Sequence, residues 1–470
     1  MKRCLVCVLV ALSFMVSVAG AQEKEGIELT IYNQNFALVK DKRMLELKNG
    51  VNNIRFSDVA AQIEPTSVHF KSLTDPLGCM IQEQNYEYDL VSADKLLKKY
   101  IDKSVNLVAK EGKSYSGSLM SYDGEHIVLS SSGALSMISR KDNIREISFP
   151  DLPEGLITKP TLMWQLANNK AGAHLTEVSY LTQGIGWEAD YVLVTDKDDK
   201  SVDLSGWVTI DNKCGASFKD ASLKLIAGEV KRAQEETGMP RRAMKMVYED
   251  VASVPQFSEQ SFFEYHLYTL QRKATVKDNQ TKQISLLSAN SVPVKKLFIF
   301  DPVDYYGWYW YQYDDQQGKK EQKVKVKLEL KNSKDNKLGM PLPKGKVKVY
   351  KKDSEGSLQF IGEDSIDHTP KDETIRLYLG DAFDVVGERK KINYRQGNDW
   401  AEESFEISLR NHKESAIEVN VVERMWRHAN WKIIAQSHQF TKKDAQAIEF
   451  KVPVAKDAET KITYTVRYWW

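Results

Sequence analysis

The chain has 470 residues, with 66 lysines and arginines against 65 aspartates and glutamates. This near balance excludes the strongly basic surface of a nucleic-acid-binding protein, and no long block of like charge marks an interaction tail. At roughly 150 residues per domain, the length predicts about three domains, each able to bury a core.

The first element along the chain is a leader sequence. Lys2 and Arg3 precede an apolar run over residues 4–18, and Ala19-Gly20-Ala21 then provides an A-x-A cleavage site. A positive start, a short apolar core and small residues before the cut are typical of a secretory signal peptide. The run is shorter than the roughly 20 apolar residues of a membrane-spanning helix. We therefore predict that residues 1–21 are removed and that the mature chain is periplasmic or secreted, with no transmembrane anchor.

Strand patterns dominate the mature chain. Asn49-Gly50 lies between alternating runs and favours a tight hairpin turn. Farther on, Lys323 and Lys325 alternate with Val324 and Val326, which indicates an antiparallel sheet with one face in water. Helical periodicity is scarce. The predicted fold class is mainly β, with several antiparallel β-sandwich domains and few short helices.

One short helix is predicted after Ser92, where Leu96, Leu97 and Tyr100 share a face. Five short strands separated by glycine-containing turns are predicted after it, over residues 104–110, 114–121, 125–131, 134–139 and 144–148. A helix followed by five such strands resembles the Sm-like or SH3-like small barrel.

The first sequence motif of the Sm family is matched by Gly117, Leu119, Asp123 and Leu129. The asparagine expected after that aspartate is absent, and no Arg-Gly pair follows in the second motif. These are the residues that read RNA in that family, so the resemblance implies a structural insert and no nucleic-acid partner.

These patterns divide the chain into six predicted segments. They are the signal peptide 1–21, an N-terminal β domain 22–90, the small-barrel insert 91–150, the first part of a β-sandwich region 151–230, a flexible linker 231–259 and a C-terminal β-sandwich region 260–470.

Cys79 and Cys214 are the cysteines that remain after the leader is removed. In an oxidising compartment two cysteines form a disulfide when their Cα atoms come within about 7 Å. The sequence leaves a Cys79–Cys214 disulfide open and favours two free buried thiols. Two cysteines are too few for a zinc cluster, and no cofactor is indicated.

Catalytic motifs are weak. The Gly184–Ala189 segment approaches a dinucleotide fingerprint but continues as strand where a helix is required, so glycines at a strand turn explain it better. Glu264 and His266 are expected on one strand face, where they suit either a metal or a structural hydrogen bond. No G-x-S-x-G elbow is present. Catalytic and metal-ligating residues are therefore not assigned.

The most aromatic segment runs over residues 301–315. It contains the residues that we predict to bind a ligand, Tyr305, Tyr306, Trp308, Tyr309 and Trp310. Amphipathic rings bury a large area with little loss of side-chain entropy, so a glycan or a partner protein could stack here. Rings packed on each other or on a neighbouring domain are the favoured alternative.

The end of the chain alternates Ile462, Tyr464, Val466, Tyr468 and Trp470, as in the last strand of outer-membrane barrels. Such barrels need many amphipathic strands that face lipid, whereas a row of lysines at 323–327 would face lipid or lumen. A sandwich closed by its last strand is the simpler prediction.

The motifs spread along the chain resemble those of exported bacterial proteins of the mucoidy inhibitor A-like group, of the domain of unknown function 4139 type. The matching stretches are Ile31–Asn33 through Phe56–Val59, which resembles the family's N-terminal β domain, and then Val178–Leu181, Gly186–Tyr191, Gly206–Asn212, Ala221–Gly228, Leu342–Tyr350 and Leu379–Asp384. Typical members carry a coiled-coil hairpin between two β regions, where this chain has the small-barrel pattern. The resemblance implies no catalytic residues.

The predicted function is that of an exported, non-catalytic cell-envelope protein, either structural or binding a protein or glycan of the envelope. The alternatives are a hydrolase or metal-dependent enzyme with a site built from distant strands, and an outer-membrane β-barrel. The sequence does not fix the oligomeric state or the partner.

Overall fold

The structure is a computed structural model that describes residues 24–232, 256–302 and 320–470. The chain forms two compact units. Unit 1 contains the described residues within Met1–Glu28 and Val39–Tyr180, and unit 2 contains those within Leu29–Leu38 and Leu181–Trp470. Strands make up most of both units, which confirms the mainly β fold class.

The first half of the chain contains fifteen described strands and one α-helix. They are β1 (Gly26–Tyr32), β2 (Phe36–Leu47), β3 (Gly50–Ser57), β4 (His69–Ser72), β5 (Cys79–Glu87), α1 (Ala93–Lys99), β6 (Ser104–Ala109), β7 (Ser114–Tyr122), β8 (His126–Ser131), β9 (Ala134–Ser139), β10 (Ile144–Ser148), β11 (Thr161–Asn168), β12 (Gly172–Gln183), β13 (Ile185–Thr195), β14 (Ser201–Asn212) and β15 (Phe218–Ala227).

The second half contains fourteen described strands. They are β16 (Phe257–Phe262), β17 (Tyr265–Leu270), β18 (Ala274–Val276), β19 (Gln280–Phe300), β20 (Lys320–Lys331), β21 (Gly345–Lys352), β22 (Leu358–Ile366), β23 (Thr374–Gln396), β24 (Trp400–Asn411), β25 (Ile417–Arg424), β26 (Trp431–Gln436), β27 (Phe440–Lys442), β28 (Ala447–Val454) and β29 (Ala458–Trp469). Short 3-10 turns occur at Pro65–Ser67 and Lys334–Asn336.

The helix and five strands predicted for residues 91–150 are all present in unit 1. The Ser92 side chain caps α1 by accepting a hydrogen bond from the Lys95 N–H at 3.3 Å. Leu97 and Tyr100 then bury against the apolar face of a sheet with the order β10-β6-β7-β8-β9. The predicted small barrel is corrected to an open sheet, because in this described stretch β9 and β10 are the two edges and do not pair.

The Asn49-Gly50 turn joins β2 and β3, and Gly50 adopts a φ of 92° that favours glycine. The predicted hairpin is nevertheless wrong, because β2 and β3 lie in different sheets and do not pair with each other. The Asn52 side chain holds this turn, since its Oδ1 accepts the Lys48 N–H at 2.8 Å. β3 continues into a three-stranded sheet of order β3-β11-β5, and Trp164 of β11 is buried between the Phe56 and Phe70 rings.

Unit 2 is organised around a long series of hydrogen-bonded strands in the order β22-β21-β13-β14-β19-β20-β23-β24-β29-β26. β25 pairs with β19 and continues through β28 to β27. Side chains of β20, β23, β24 and β29 share one buried apolar cluster with those of β25 and β28. These two layers therefore form a β-sandwich with its core between them.

The alternation predicted around Lys323 is confirmed in β20. Val324, Leu328 and Leu330 are buried, while Lys323 is exposed. The final strand, β29, also alternates, and its residues Ile462, Tyr464, Val466 and Tyr468 all lie in the sandwich core. It is not the last strand of its sheet, because β26 pairs with its other side.

The predicted linker 231–259 is partly corrected. Residues 233–255 lie outside the described residues, whereas β16 begins at Phe257 and pairs with β17 from Phe257 to Phe262. Phe257 is buried and anchors this start, so ordered strand begins inside the predicted linker.

The disulfide considered between Cys79 and Cys214 is not formed, and both residues are free, buried thiols. Cys79 packs with Leu47 and Leu166 in unit 1, and Cys214 is enclosed in unit 2. Burial raises the pKa of the Cys79 thiol to about 11 and that of Cys214 to about 12, so both are protonated and unreactive at neutral pH.

Candidate functional site

The aromatic residues predicted to bind a ligand, Tyr305, Tyr306, Trp308, Tyr309 and Trp310, lie outside the described residues. Of the two glycines in the Gly184–Ala189 segment, Gly184 lies at the strand turn between β12 and β13, and Gly186 lies in β13 itself. Gly184 has a φ of 77°, and a Cβ on Gly186 would approach the Asn35 backbone at 3.1 Å. Strand therefore continues where a dinucleotide site would need a helix.

Glu264 and His266 do not share a strand face, contrary to expectation. Glu264 lies in the turn between β16 and β17, and Phe263 beside it has a φ of 56°. His266 instead makes a 2.8 Å contact from its Nδ1 to Oε1 of Glu259 on the neighbouring strand β16. Among the described residues, no group of three or more histidine, cysteine or acidic side chains is placed to hold a metal ion.

A second histidine, His368, is held in the neutral form. The Lys344 backbone N–H donates to its Nδ1 at 3.1 Å, and its Nε2 lies 3.2 Å from the Asn33 side-chain amide. Burial lowers the pKa of His368 below 6.5, and the positive charge of Lys344 lowers it further. The carboxylates of Glu229 and Asp367 oppose this shift without cancelling it.

This lowered pKa predicts a loss of stability in mild acid. Below the unfolded-state pKa of about 6.5, this histidine binds a proton in the unfolded chain, whereas in the folded chain it stays neutral down to its lower pKa. The free energy of unfolding therefore falls as the pH drops from 6.5 to the folded-state pKa. Urea unfolding of the His368→Gln variant should therefore show a weaker dependence on pH across this range than the unchanged chain. Equal pH dependence in the two proteins would contradict the assignment.

Three tryptophans lie at one end of strands β24 and β29 of the unit 2 sandwich, and we call them the tryptophan surface: Trp400, Trp469 and Trp470. Trp400 on β24 is the direct cross-strand partner of Trp469 on β29. The residues next to them, Ala401 and Tyr468, point into the core and are buried. Alternation therefore places the indoles of Trp400 and Trp469 on the outer face of the sheet, where Trp469 is 44% exposed. Trp470 follows the last residue of β29 at the same end of these strands and is 52% exposed.

The backbone around the turn between β23 and β24 contacts two of these residues, Trp400 and Trp470. The Trp470 indole N–H donates to the Asn398 carbonyl at 3.2 Å, and its backbone N–H donates to the Asp399 carbonyl at 3.1 Å. Gly397 is required because a Cβ at this position would lie 2.3 Å from the Trp400 indole nitrogen. The Trp400 and Trp470 rings are thus held in place before any partner arrives.

A row of charged residues crosses the same face of the sheet, two residues along the strands from Trp400 and Trp469. In order across the sheet it contains Arg395 on β23, Glu402 on β24, Arg467 on β29 and Lys432 on β26, each the cross-strand partner of the next. Arg467 bonds Glu402 through its Nε at 2.7 Å and places its guanidinium 5.1 Å from the Trp400 ring centroid. Within the described residues, Arg395 and Lys432 form no ion pair and are exposed, so the row has a net charge of +2.

The inner face of the same strands carries buried charges. Glu423 of β25 has no exposed side-chain area and accepts hydrogen bonds from Arg389 Nε, 3.0 Å from each carboxylate oxygen, and from the Tyr464 hydroxyl. Glu403 is held in the same way by Lys391 at 3.1 Å and Arg427 at 2.8 Å. Burial, and then the Glu423 charge, raise the pKa of Tyr464 well above 10. This network braces the strands that present the tryptophan surface.

Sequence reasoning missed the tryptophan surface. The pair Trp469-Trp470 and the alternation before it were visible, but Trp400 lies about 70 residues earlier and only strand pairing brings it alongside. The Gly397-Asn398-Asp399-Trp400 turn was the available local signal, since glycine next to an aromatic residue at a turn permits close packing of the ring.

The arrangement defines a mainly β protein with a rigid aromatic and cationic surface on its sandwich. The model of the family described as Domain of unknown function (DUF4139) matches residues 176–470, and the chain belongs to this family. The match confirms the domain type predicted from the sequence motifs, whereas the resemblance to the mucoidy inhibitor A-like group stays a prediction. No curated protein matches the sequence. In the described part of the chain, no helix is long and apolar enough to cross a membrane.

Proposed function

We propose that this protein is an exported, non-catalytic component of the cell envelope that binds another envelope component through the tryptophan surface. The leader over residues 1–21 supports export. Proteins, surface polymers and lipid headgroups are all components that exposed rings and cations of this kind bind.

The observation that carries the proposal is the rigid exposure of large rings. Trp469 and Trp470 leave about half of their surface in water although apolar burial contributes roughly 25 cal/mol per Å² to stability. Trp470 nevertheless has both its indole and backbone N–H groups bonded to one turn. Rings that are fixed but uncovered are typical of binding sites, where tryptophan is among the residues that contribute most to affinity.

The first test measures whether the exposed tryptophans are needed for binding to the native cell envelope. We expect the Trp469→Ala/Trp470→Ala variant to lose about 2 kcal/mol of binding to isolated envelopes, or roughly thirtyfold in affinity. The measurement is co-sedimentation of purified protein with envelopes. The matched control is Phe360→Ala/Phe383→Ala, which removes two rings of unit 2 that are 55% and 96% exposed.

Loss of binding in both double variants, or in neither, would contradict the role of the tryptophan surface. A third variant, Trp308→Ala/Trp310→Ala, tests the segment predicted from the sequence in the same assay. Fractionation of the native cell into osmotic-shock, membrane and medium fractions tests the export on which the proposal depends.

A further inference from the structure

The outer face of the sandwich changes its chemistry in steps along the strands. The row that begins at Trp400 and Trp469 is aromatic, and the row two residues behind it carries Glu402 and Arg467. The next row contains only uncharged residues, Asn393, Ser404, Thr465 and Ala435, and the Ser404 and Thr465 hydroxyls share a hydrogen bond of 2.9 Å. Because same-face residues of a strand lie about 7 Å apart, the rings, the cations and the uncharged residues occupy three successive depths.

We propose that the tryptophan surface docks on an anionic phospholipid bilayer, with its rings among the headgroups and the cation row level with the lipid phosphates. This inference rests on the proposed function and names the envelope component that the surface binds. Indole rings partition to the interface of a bilayer, and interfacial elements bury their apolar side roughly 5–10 Å below the surface. A spacing of about 7 Å between rings and cations fits that layered environment.

The charge pattern favours an anionic partner. Lys432 and Arg467 are direct cross-strand partners of like charge, an arrangement that destabilises a sheet in the absence of a counterion. Glu402 neutralises only one of the three cations in the row, since it bonds Arg467. An anionic surface relieves the repulsion between Lys432 and Arg467 and pairs with the exposed Arg395.

The depth order distinguishes a bilayer from the other two classes of partner. A protein or a glycan bound flat on the sheet would meet rings and charges at the same depth, and nothing would require them to lie in separate rows. A bilayer interface is itself ordered by depth, with phosphates outside the level that amphipathic rings occupy. We therefore commit to the lipid surface.

The test is co-sedimentation of the purified mature chain with vesicles. We expect binding to vesicles of phosphatidylcholine and phosphatidylglycerol mixed three to one, and little binding to phosphatidylcholine alone. Removing the two exposed charges with Arg395→Gln/Lys432→Gln should weaken binding about fivefold for each charge, since each contributes about 1 kcal/mol near an anionic surface. Raised salt should weaken binding in the same direction.

The matched control is Lys390→Gln, which removes one exposed lysine from the same face of β23 farther from the tryptophans and should leave vesicle binding unchanged. Because Trp469→Ala could disturb folding, a second measurement uses the unchanged protein. Vesicles with brominated acyl chains should quench part of its tryptophan emission, and Trp469→Phe/Trp470→Phe should reduce that quenching.

Equal binding to neutral and anionic vesicles, or a loss of binding in Lys390→Gln as large as that in Arg395→Gln/Lys432→Gln, would overturn the inference. The proposed function is judged separately in the envelope assay. If the tryptophan variants lose binding to whole envelopes while no vesicle is bound, the bilayer is the wrong partner and the tryptophan surface serves a protein or a surface polymer.

Discussion

Replacing Arg389 with methionine should lower the free energy of unfolding by about 3–5 kcal/mol. Arg389 holds Glu423, whose side chain is fully buried, through contacts of 3.0 Å to both carboxylate oxygens. Without the guanidinium, that carboxylate is left in the sandwich core with the Tyr464 hydroxyl as its remaining described hydrogen-bond partner. The guanidinium also lies 3.8 Å from the Phe405 ring centroid, so its removal takes away packing as well as charge.

A set of variants distinguishes the net contribution of the Arg389–Glu423 ion pair to stability from the cost of leaving Glu423 buried without Arg389. The triple variant Arg389→Met/Glu423→Leu/Tyr464→Phe removes Glu423 together with its two described partners and should recover most of the stability lost in Arg389→Met, because a buried ion pair replaced by apolar side chains of similar volume is often neutral. Chemical denaturation of the single and triple variants measures the difference. A triple variant that is less stable than Arg389→Met would show that the network itself stabilises the sandwich.

Gly345→Ala should also be strongly destabilising, by about 3 kcal/mol. β21 begins at Gly345, which is the parallel cross-strand partner of Ala189 on β13. A Cβ on Gly345 would lie 2.0 Å from the Ala189 carbonyl oxygen, and this backbone atom cannot move without separating the two strands. Glycine-to-alanine changes elsewhere gain about 0.4–1 kcal/mol from the unfolded chain, which is too little to offset the clash.

The control for this prediction is Gly124→Ala. An added Cβ at Gly124 meets no atom within 4 Å, and its backbone does not need a positive φ. Its unfolding midpoint should therefore stay the same or rise slightly. A Gly345→Ala protein as stable as Gly124→Ala would mean that β13 and β21 separate at little cost.

Local patterns predicted most of the fold. Alternation gave the strands of residues 104–148 nearly to the residue, and Ser92 marked the start of α1, because capping and period-two burial depend on neighbours in the sequence. The motif at Leu342–Tyr350 was recognised without its physical reason. The reason is that a side chain at Gly345 would have no room next to Ala189, which lies on β13 about 155 positions earlier in the sequence.

The candidate site was not predictable in the same way. Trp400 and Trp469 become neighbours only through the pairing of β24 with β29, and the row from Arg395 to Lys432 draws one residue from each of four strands. Sequence periodicity reports which face of a strand is apolar but not which strands are adjacent. For the same reason, Glu264 was assigned to His266 although the actual partner, Glu259, lies across a hairpin.

Unit 2 has a further consequence for how the protein can be made and studied. It takes Leu29–Leu38 from the start of the chain, and Asn33 there meets His368 across 335 positions of sequence. The region matched by the family model begins at residue 176 and so lacks these ten residues. A fragment cut at that boundary lacks part of unit 2, so we expect it to be less stable than the intact chain and to regain stability when residues 29–38 are supplied as a separate peptide. In the intact chain, contacts between this early segment and the later strands close very long loops, and such contacts slow folding.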